Sequence, residues 1–312
     1  MSGAFGRCLV TGGAGFIGSN LVRGLLEQGA QVSVLDNFST GRRENLPESE
    51  NLSVLEGDLC TAEVLPALVA SSDYVFHLAA QVGNLKSIEH AESDAATNVL
   101  GSVRLLEACR GAGIRKLVYA SSSAIFGEAE RMPVDEAHPQ KPASFYALSK
   151  LTAERYALLA AGLWGVPAVC LRFFNVYGTP MEQNEYSGVI PIFLERLQRG
   201  LPLPIYGDGQ QVRDFVYVRD VVQAVILAAV TAPAGSVYNI GSGSPTTVFD
   251  LAHALGRVTG QTPVIEFRDH RPGEVRQSLA DISRARMELG FEPRYTLDDG
   301  LAELWDTVPS GR

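Results

Sequence analysis

The chain predicts an α/β fold, a doubly wound parallel sheet with a smaller C-terminal α/β lobe. Three observations predict it: short apolar runs through the first half, helical stretches between them, and loss of that rhythm after about residue 175. Parallel strands covered on both faces read as near-continuous apolar runs rather than alternating ones. Such runs are RCLV (7–10), QVSVL (31–35), LSVL (52–55), YVFHL (74–78), KLVYA (116–120) and PAVCLR (167–172). Helical stretches near 16–29, 61–70, 95–110 and 145–163 separate them, and repeated βα units wind into one sheet.

Beyond residue 175 the pattern breaks up. GTPMEQNEYSG (178–188) reads as a loop, VIPIFLERLQRG (189–200) as a helix ending at Gly200, and LPLPIYGDGQQ (201–211) as Pro- and Gly-rich connection. DFVYVRDVVQAVILAAV (214–230) and GSVYNIGSG (235–243) return to strand, helix and strand. Thr247 with Asp250 and Thr296 with Asp299 form capping-box patterns that open two late helices. The expected division is a sheet domain over 1–175, rejoined by about 212–240, and a lobe over 176–312.

Hydrophobic residues make up 46% of the 312, which suits a well-filled core. A net charge of −9, with adjacent basic residues only at Arg42–Arg43 and Arg115–Lys116, excludes a general nucleic-acid binder. Cys8, Cys60, Cys109 and Cys170 are scattered without metal-ligand spacing, so buried thiols in a reducing cytoplasm are expected, and no metal. No signal segment opens the chain, and VVQAVILAAV (221–230) is too short to cross a bilayer. The expectation is a soluble cytoplasmic protein.

TGGAGFIGS (11–19) places Gly12, Gly15 and Gly18 directly after a strand and at the start of an apolar helix. That context lets backbone N–H groups and a helix N-terminus approach a pyrophosphate. The second strand ends at Asp36, whose carboxylate suits two ribose hydroxyls and repels a 2′-phosphate, so NAD is favoured over NADP. Arg42 and Arg43 keep NADP open. Asp58 after the third strand is either a partner for an adenine amine or a plain turn acid.

In SFYALSK (144–150), Tyr146 and Lys150 stand four residues apart and so share a helix face. An ammonium beside a phenol lowers the phenol's pKa, which makes a base for a hydroxyl proton. YASSSAIFG (119–127) adds hydroxyls at the C-terminal edge of the sheet, where ligands of such folds bind.

Taken in order, the glycine loop, HLAA (77–80), SSSAIFG (121–127), Tyr146–Lys150 and RFFNVYG (172–178) resemble the extended short-chain dehydrogenase/reductase family, built on a Rossmann fold. GDGQQVRDFVYVRD (207–220) and RPGE (271–274) look like its nucleotide-sugar epimerase/dehydratase members, UDP-hexose 4-epimerases above all. The resemblance covers nearly the whole chain. It implies NAD as cofactor, Tyr146 as base, Lys150 as its tuner and as a partner of the nicotinamide ribose, and Ser122 as the catalytic hydroxyl, with Ser123 as the alternative. It extends the cofactor contacts to Phe16, Ile17, Asn37, Leu59, Leu78, Ala79, Ala80, Asn98, Ser121 and Phe173. For a UDP-sugar it implies Ser122, Tyr146, Asn175, Val189, Tyr206, Arg213, Arg271, Glu274 and Ser278. A lysine that the family often carries after its histidine motif falls on Val82, so that role stays unassigned.

Dehydrating and decarboxylating relatives need carboxylates just after the catalytic hydroxyl, where this chain has Ser123 and Ala124. The resemblance therefore implies the simpler reaction: oxidation at C4, turnover of the 4-keto sugar and return of the hydride to its other face. Ser278, at a position bordering the sugar pocket, implies room for an N-acetyl group. Two rivals stand beside this: a UDP-glucuronate 4-epimerase or other member, and a non-catalytic NAD-binding regulatory protein. The helices at 95–110 and 145–163 are apolar on more than one face, which predicts burial. The resemblance implies a homodimer through that helix pair.

Overall fold

In the computed structural model, which describes residues 5–180, 188–270 and 275–307, the apolar runs become strands, largely buried except LSVL, which forms a partly exposed strand at the sheet edge with one face less covered than its apolar run predicts. Along the chain these are β1 (Arg7–Thr11), α1 (Phe16–Glu27), β2 (Gln31–Asp36), β3 (Leu52–Glu56), α2 (Leu65–Ala70), β4 (Tyr74–His77), α3 (Asn84–Glu89) and α4 (Ala91–Ala95). A π turn (Ala96–Leu100) leads into α5 (Gly101–Cys109), then β5 (Lys116–Ser122), α6 (Phe145–Trp164), β6 (Ala168–Phe173) and β7 (Asn175–Tyr177). The remainder is α7 (Val189–Gln198), β8 (Leu203–Tyr206), β9 (Val212–Arg213), β10 (Phe215–Tyr217), α8 (Val218–Thr231), β11 (Val237–Ile240), β12 (Thr246–Thr247), α9 (Val248–Thr259), β13 (Ile265–Arg268), α10 (Ser283–Leu289) and α11 (Leu297–Thr307).

Seven strands form one sheet in the order β3-β2-β1-β4-β5-β6-β11, with every pairing parallel. Thr11 stands opposite Leu35 on one side and His77 on the other, so the strand ends at β1 and β4 lie side by side. The winding reverses there, and the crevice outside those ends is where such sheets bind ligands. The strand at 237–240 does return to the main sheet, pairing with β6. Thr247 caps its helix, Oγ1 accepting from Asp250 N at 2.9 Å, and at Thr296 the box closes both ways, Oγ1 accepting from Asp299 N at 3.2 Å and N donating to Asp299 Oδ2 at 3.0 Å.

One face of the sheet is covered by α1 and α8, packed through Leu21, Val22, Leu25, Val221 and Val225. The other is covered by α2, α5 and α6. A third cluster, around Phe193, Leu203, Ile205, Leu251 and Leu301, fills the C-terminal lobe. Burying each such aliphatic or aromatic side chain contributes about 1.5–3 kcal/mol, so each layer has its own driving force.

Helix α6 departs from the burial its sequence predicts. Its sheet-facing side is made of small residues, Ala147, Ala153, Ala157 and Ala160, while Leu148, Tyr156, Leu159 and Leu163 are exposed. Its register is pinned from inside. Arg172 on β6 and Glu154 on α6 are 2% and 0% exposed and pair bidentately, Nε to Oε2 at 3.0 Å and Nη2 to Oε1 at 2.7 Å. Arg172 Nη1 also donates to Glu136 O at 2.9 Å, and Ser121 Oγ donates to Glu154 Oε2 at 2.7 Å. A buried pair of this kind adds little net stability, yet breaking it costs about 3–5 kcal/mol. It therefore acts as a register key for α6 against β5 and β6.

Candidate active site

The crevice opens into a cavity of about 1660 Å³. Of the sequence-predicted residues, Gly12, Gly15, Phe16, Ile17 and Gly18 line it from the β1–α1 loop. Asp36, Asn37, Asp58 and Leu59 line the β2 and β3 side, and Leu78, Ala79 and Ala80 follow β4. Ser121, Ser122, Ser123, Tyr146, Lys150, Phe173 and Asn175 line it from β5, α6 and the β6–β7 end, and Arg213 and Ser278 line it too.

At the glycine loop, Gly12 has φ +70°, and a Cβ there would stand 2.6 Å from the Ala79 backbone. Gly18 would meet Gly12 O at 2.1 Å, so the protein's own packing requires both glycines. Gly15 is different: its Cβ would meet only Gly12 O, at 3.4 Å, and otherwise point into the cavity. Asp36 is almost fully buried and braces the loop itself, Oδ2 accepting from Ala14 N and Oδ1 from Phe38 N, both at 2.9 Å. Asp58 accepts from Cys60 N and from Asn37 Nδ2, each at 2.7 Å, and these bonds hold it below the usual carboxylate range.

Ser144 caps α6, its Oγ accepting from Ala147 N at 3.1 Å and donating to Asn84 Oδ1 at 2.8 Å. Two residues on, Tyr146 reaches the cavity beside Ser122. Burial pushes the Tyr146 phenol up, and the hydrogen bond from Ser122 pulls against it. In the protein alone, burial is the largest influence on this phenol and raises it. Lys150 is 3% exposed, and burial brings its ammonium down to about 7, opposed chiefly by Asp94. Of the three serines, Ser122 is the one that lowers the Tyr146 phenol against its burial, whereas Ser123 starts a 3₁₀ turn through Phe126.

Asn98 does not line the cavity; it stands one layer behind it. The π turn swings it inward, where Nδ2 faces Asp94 Oδ1 at 3.0 Å, Ser149 Oγ at 3.1 Å and Gln81 O at 3.0 Å. Its Oδ1 accepts from Gln81 N at 2.9 Å, which fixes the loop after β4. His77 completes this layer. Ser102 Oγ donates to Asn98 O at 2.6 Å and so accepts from His77 Nε2–H at 2.9 Å, leaving Nδ1 to accept from the Thr11 hydroxyl at 2.8 Å. Burial, then the Lys150 charge, pushes His77 down to about 3, so it stays neutral. Sequence reasoning missed Asp94 and Ser149, whose only trace was their helical spacing from Asn98 and Tyr146.

Toward the C-terminal lobe, Asp214 is fully buried and gathers Ser242 N (2.6 Å), Ser242 Oγ (2.7 Å), Gly243 N (3.0 Å) and Ala280 N (3.1 Å). Burial raises its pKa while these donors oppose the rise. It thereby fixes its neighbour Arg213 and the returning segment, where Ser278 N donates to Val212 O at 3.1 Å. Val189 and Tyr206 do not line the cavity; Gly188, Pro191 and Leu194 do so instead. Lys86 on α3 lines it one turn beyond the expected lysine position at Val82, a cation that the sequence left unassigned. Arg271 and Glu274 lie outside the described residues.

These residues fit a dinucleotide. Gly15 leaves space that packing does not require, Asp36 stands at the far end, and Tyr146 and Lys150 close the near end. The sequence matches the NAD dependent epimerase/dehydratase family over residues 8–241. It is 39% identical to a UDP-glucose 4-epimerase of Mycolicibacterium smegmatis over 302 residues, 95% of this chain and 96% of that protein. Among solved structures, a UDP-N-acetylglucosamine 4-epimerase of Methanobrevibacter ruminantium, in complex with UDP-N-acetylmuramic acid, superposes with a TM-score of 0.93 at 35% identity, covering 96% of this chain and 97% of that one. A Thermus thermophilus UDP-glucose 4-epimerase in complex with NAD gives a TM-score of 0.88 at 38% identity, over 96% and 98% of the two chains.

Gly15→Val is expected to fold with a Tm close to that of the parent and to lose dinucleotide affinity by a hundredfold or more in calorimetric titration, on the order of 3 kcal/mol. A valine variant that binds the dinucleotide as the parent does would remove Gly15 from the site.

Proposed function

Since the chain belongs to the NAD dependent epimerase/dehydratase family, we propose that it is an NAD-dependent 4-epimerase of UDP-hexoses, acting on UDP-glucose and UDP-galactose and also on their N-acetylated counterparts. One observation carries this reading. Among the described residues, the acidic side chains on the cavity wall are Asp36, Glu44 and Asp58, all toward β2 and β3, and none lies beside Tyr146 and Ser122. Dehydration needs an acid for a leaving hydroxyl and a base for a C5 proton. A single phenol assisted by serine suits proton removal from a C4 hydroxyl and its return.

In this reading Tyr146 takes and restores the C4 hydroxyl proton, and Ser122 orients both phenol and sugar oxygen by hydrogen bonding. Lys150 supplies positive charge at the same place and a donor for the nicotinamide ribose. When bound, NAD supplies the oxidised ring that takes a hydride from C4 and returns it, and whose positive charge favours the phenolate that the protein alone disfavours. Arg213 and Arg271 grip the diphosphate, with Asn175 as a further donor. Glu274 takes the UDP ribose and Tyr206 a place near the uracil, outside the cavity described above. Firm hold on the nucleotide and a loose one on the sugar let the 4-keto intermediate turn without escaping.

The division of labour we propose sets the cofactor on residues 1–175 with 212–240 and the nucleotide sugar on the lobe from 176 onward. The four free cysteines, three of them buried, suit a reducing cytoplasm; among the described residues no helix is long and apolar enough to cross a membrane. The exposed stripe Leu148, Tyr156, Leu159 and Leu163 on α6, with the exposed Leu100 on the π turn that leads into α5, supports a homodimer through this helix pair.

Purified protein incubated with UDP-galactose, UDP-N-acetylglucosamine and UDP-glucuronate, without added reductant, should epimerise the first two at C4. Ser278→Tyr should lower turnover of the acetylated sugar on the order of tenfold and spare the plain one. Equal losses on both, or none, would remove the predicted breadth, and a dehydrated sugar product would replace the reaction itself. Light scattering should give twice the chain mass, and Leu159→Glu with Leu163→Glu should give the monomer; an unchanged mass would exclude this face.

A further inference from the structure

Among the described residues, no carboxylate pairs directly with the Lys150 ammonium. Glu154 is engaged by Arg172, and Asp94 is bonded by Asn98, so both carboxylates act on the ammonium from a distance. Cys170 on β6 also faces this region, but burial pushes its thiol well up, so it is uncharged near neutral pH. His77 on β4 is neutral, and Tyr146 on the same helix is kept as a phenol by burial. What meets the ammonium closely is an aromatic face: Lys150 Nζ stands 4.4 Å from the ring centroid of Tyr119 on β5. Tyr119 is 1% exposed, its hydroxyl points to Lys150 O at 3.4 Å, and the His77 ring packs against it with centroids 5.4 Å apart.

We propose that Tyr119 is a positioning residue for the reaction, its ring face carrying the Lys150 ammonium so that the charge stays protonated and fixed one helical turn from Tyr146. The inference rests on the reading of Lys150 given above and goes one layer beneath it. A cation over an aromatic face is attracted by the ring quadrupole, and the attraction grows when water is excluded, as it is here. The ring does what a carboxylate would do without placing a negative charge beside the phenol. A carboxylate in van der Waals contact would hold the lysine protonated but would push Tyr146 further up, as Asp94 already does from its greater distance. A π face favours the ammonium and leaves the phenol alone.

The chain makes this measurable, since its lysines are four: Lys86, Lys116, Lys141 and Lys150. In protein labelled with ¹³C at lysine Cε, the resonance that disappears in Lys150→Met identifies the residue, and its titration needs neither substrate nor turnover. The parent resonance is expected to titrate near the value of about 7 that burial sets. Tyr119→Phe keeps the ring and should leave the midpoint in place. Replacing Tyr119 by phenylalanines bearing successive ring fluorines keeps the shape and drains the quadrupole; the midpoint should fall stepwise, by roughly one pH unit across the series, a tenfold change in the protonation equilibrium. Tyr119→Leu should give at least that fall. A midpoint unmoved by fluorination would overturn the inference, even if the leucine variant fails to fold. The outcome is separable from the proposed function: absence of epimerisation with a stepwise titration would reject the reaction and leave the Tyr119 platform standing.

Discussion

The register of helix α6 against strands β5 and β6 is the constraint on which the rest of the site depends. Tyr146 and Lys150 share a face only because they are one turn apart, and that face meets the cavity only because the helix cannot slide or rotate. Three features fix it. Ser144 caps the first turn, the alanines at 147, 153, 157 and 160 let the helix sit close on the sheet, and the buried Glu154–Arg172 pair locks the longitudinal setting. The pair's value is conformational more than energetic, because an ion pair of that kind stabilises little over a well-packed apolar substitute.

A second layer transmits this setting to the cofactor end. Asn98 joins α6, through Ser149, to the loop after β4, through Gln81, and His77 joins the same turn to Thr11 at the mouth of the glycine loop. Neutral hydrogen-bonding groups dominate that layer, which avoids burying a further charge near Lys150. The chemistry of the site follows from burial. Desolvation raises the pKa of the phenol and lowers that of the lysine.

Much of this was legible where function is written locally. The glycine loop, Asp36 and the Tyr146–Lys150 spacing are short-range patterns with one physical meaning, and the strands announced themselves by apolar runs. Less was legible where partners are distant or periodicity is broken. Helix α3 is six residues long and opens on Gly83, too short for a periodic trace. The π turn that aims Asn98 breaks the helical repeat, so its bonds to Asp94, Ser149 and Gln81 left no periodic trace. Helix α6 is apolar on more than one side, and only the contrast between small and large residues tells which side meets the sheet. Asp214 and Glu154 owe their roles to neighbours far along the chain. Val189, carried over by position, fell outside the cavity because α7 turns Pro191 and Leu194 toward it instead, and Tyr206 at the end of β8 does not line it.

All of it converges on one oxygen atom. The most direct measurement is the interconversion of UDP-glucose and UDP-galactose by Tyr146→Phe, in a preparation shown by thermal melting to be folded and by calorimetry to hold NAD. The rate should fall by a factor on the order of a thousand, with dinucleotide affinity kept, as expected for loss of a positioned general base. Interconversion at the parental rate by that variant would contradict that role.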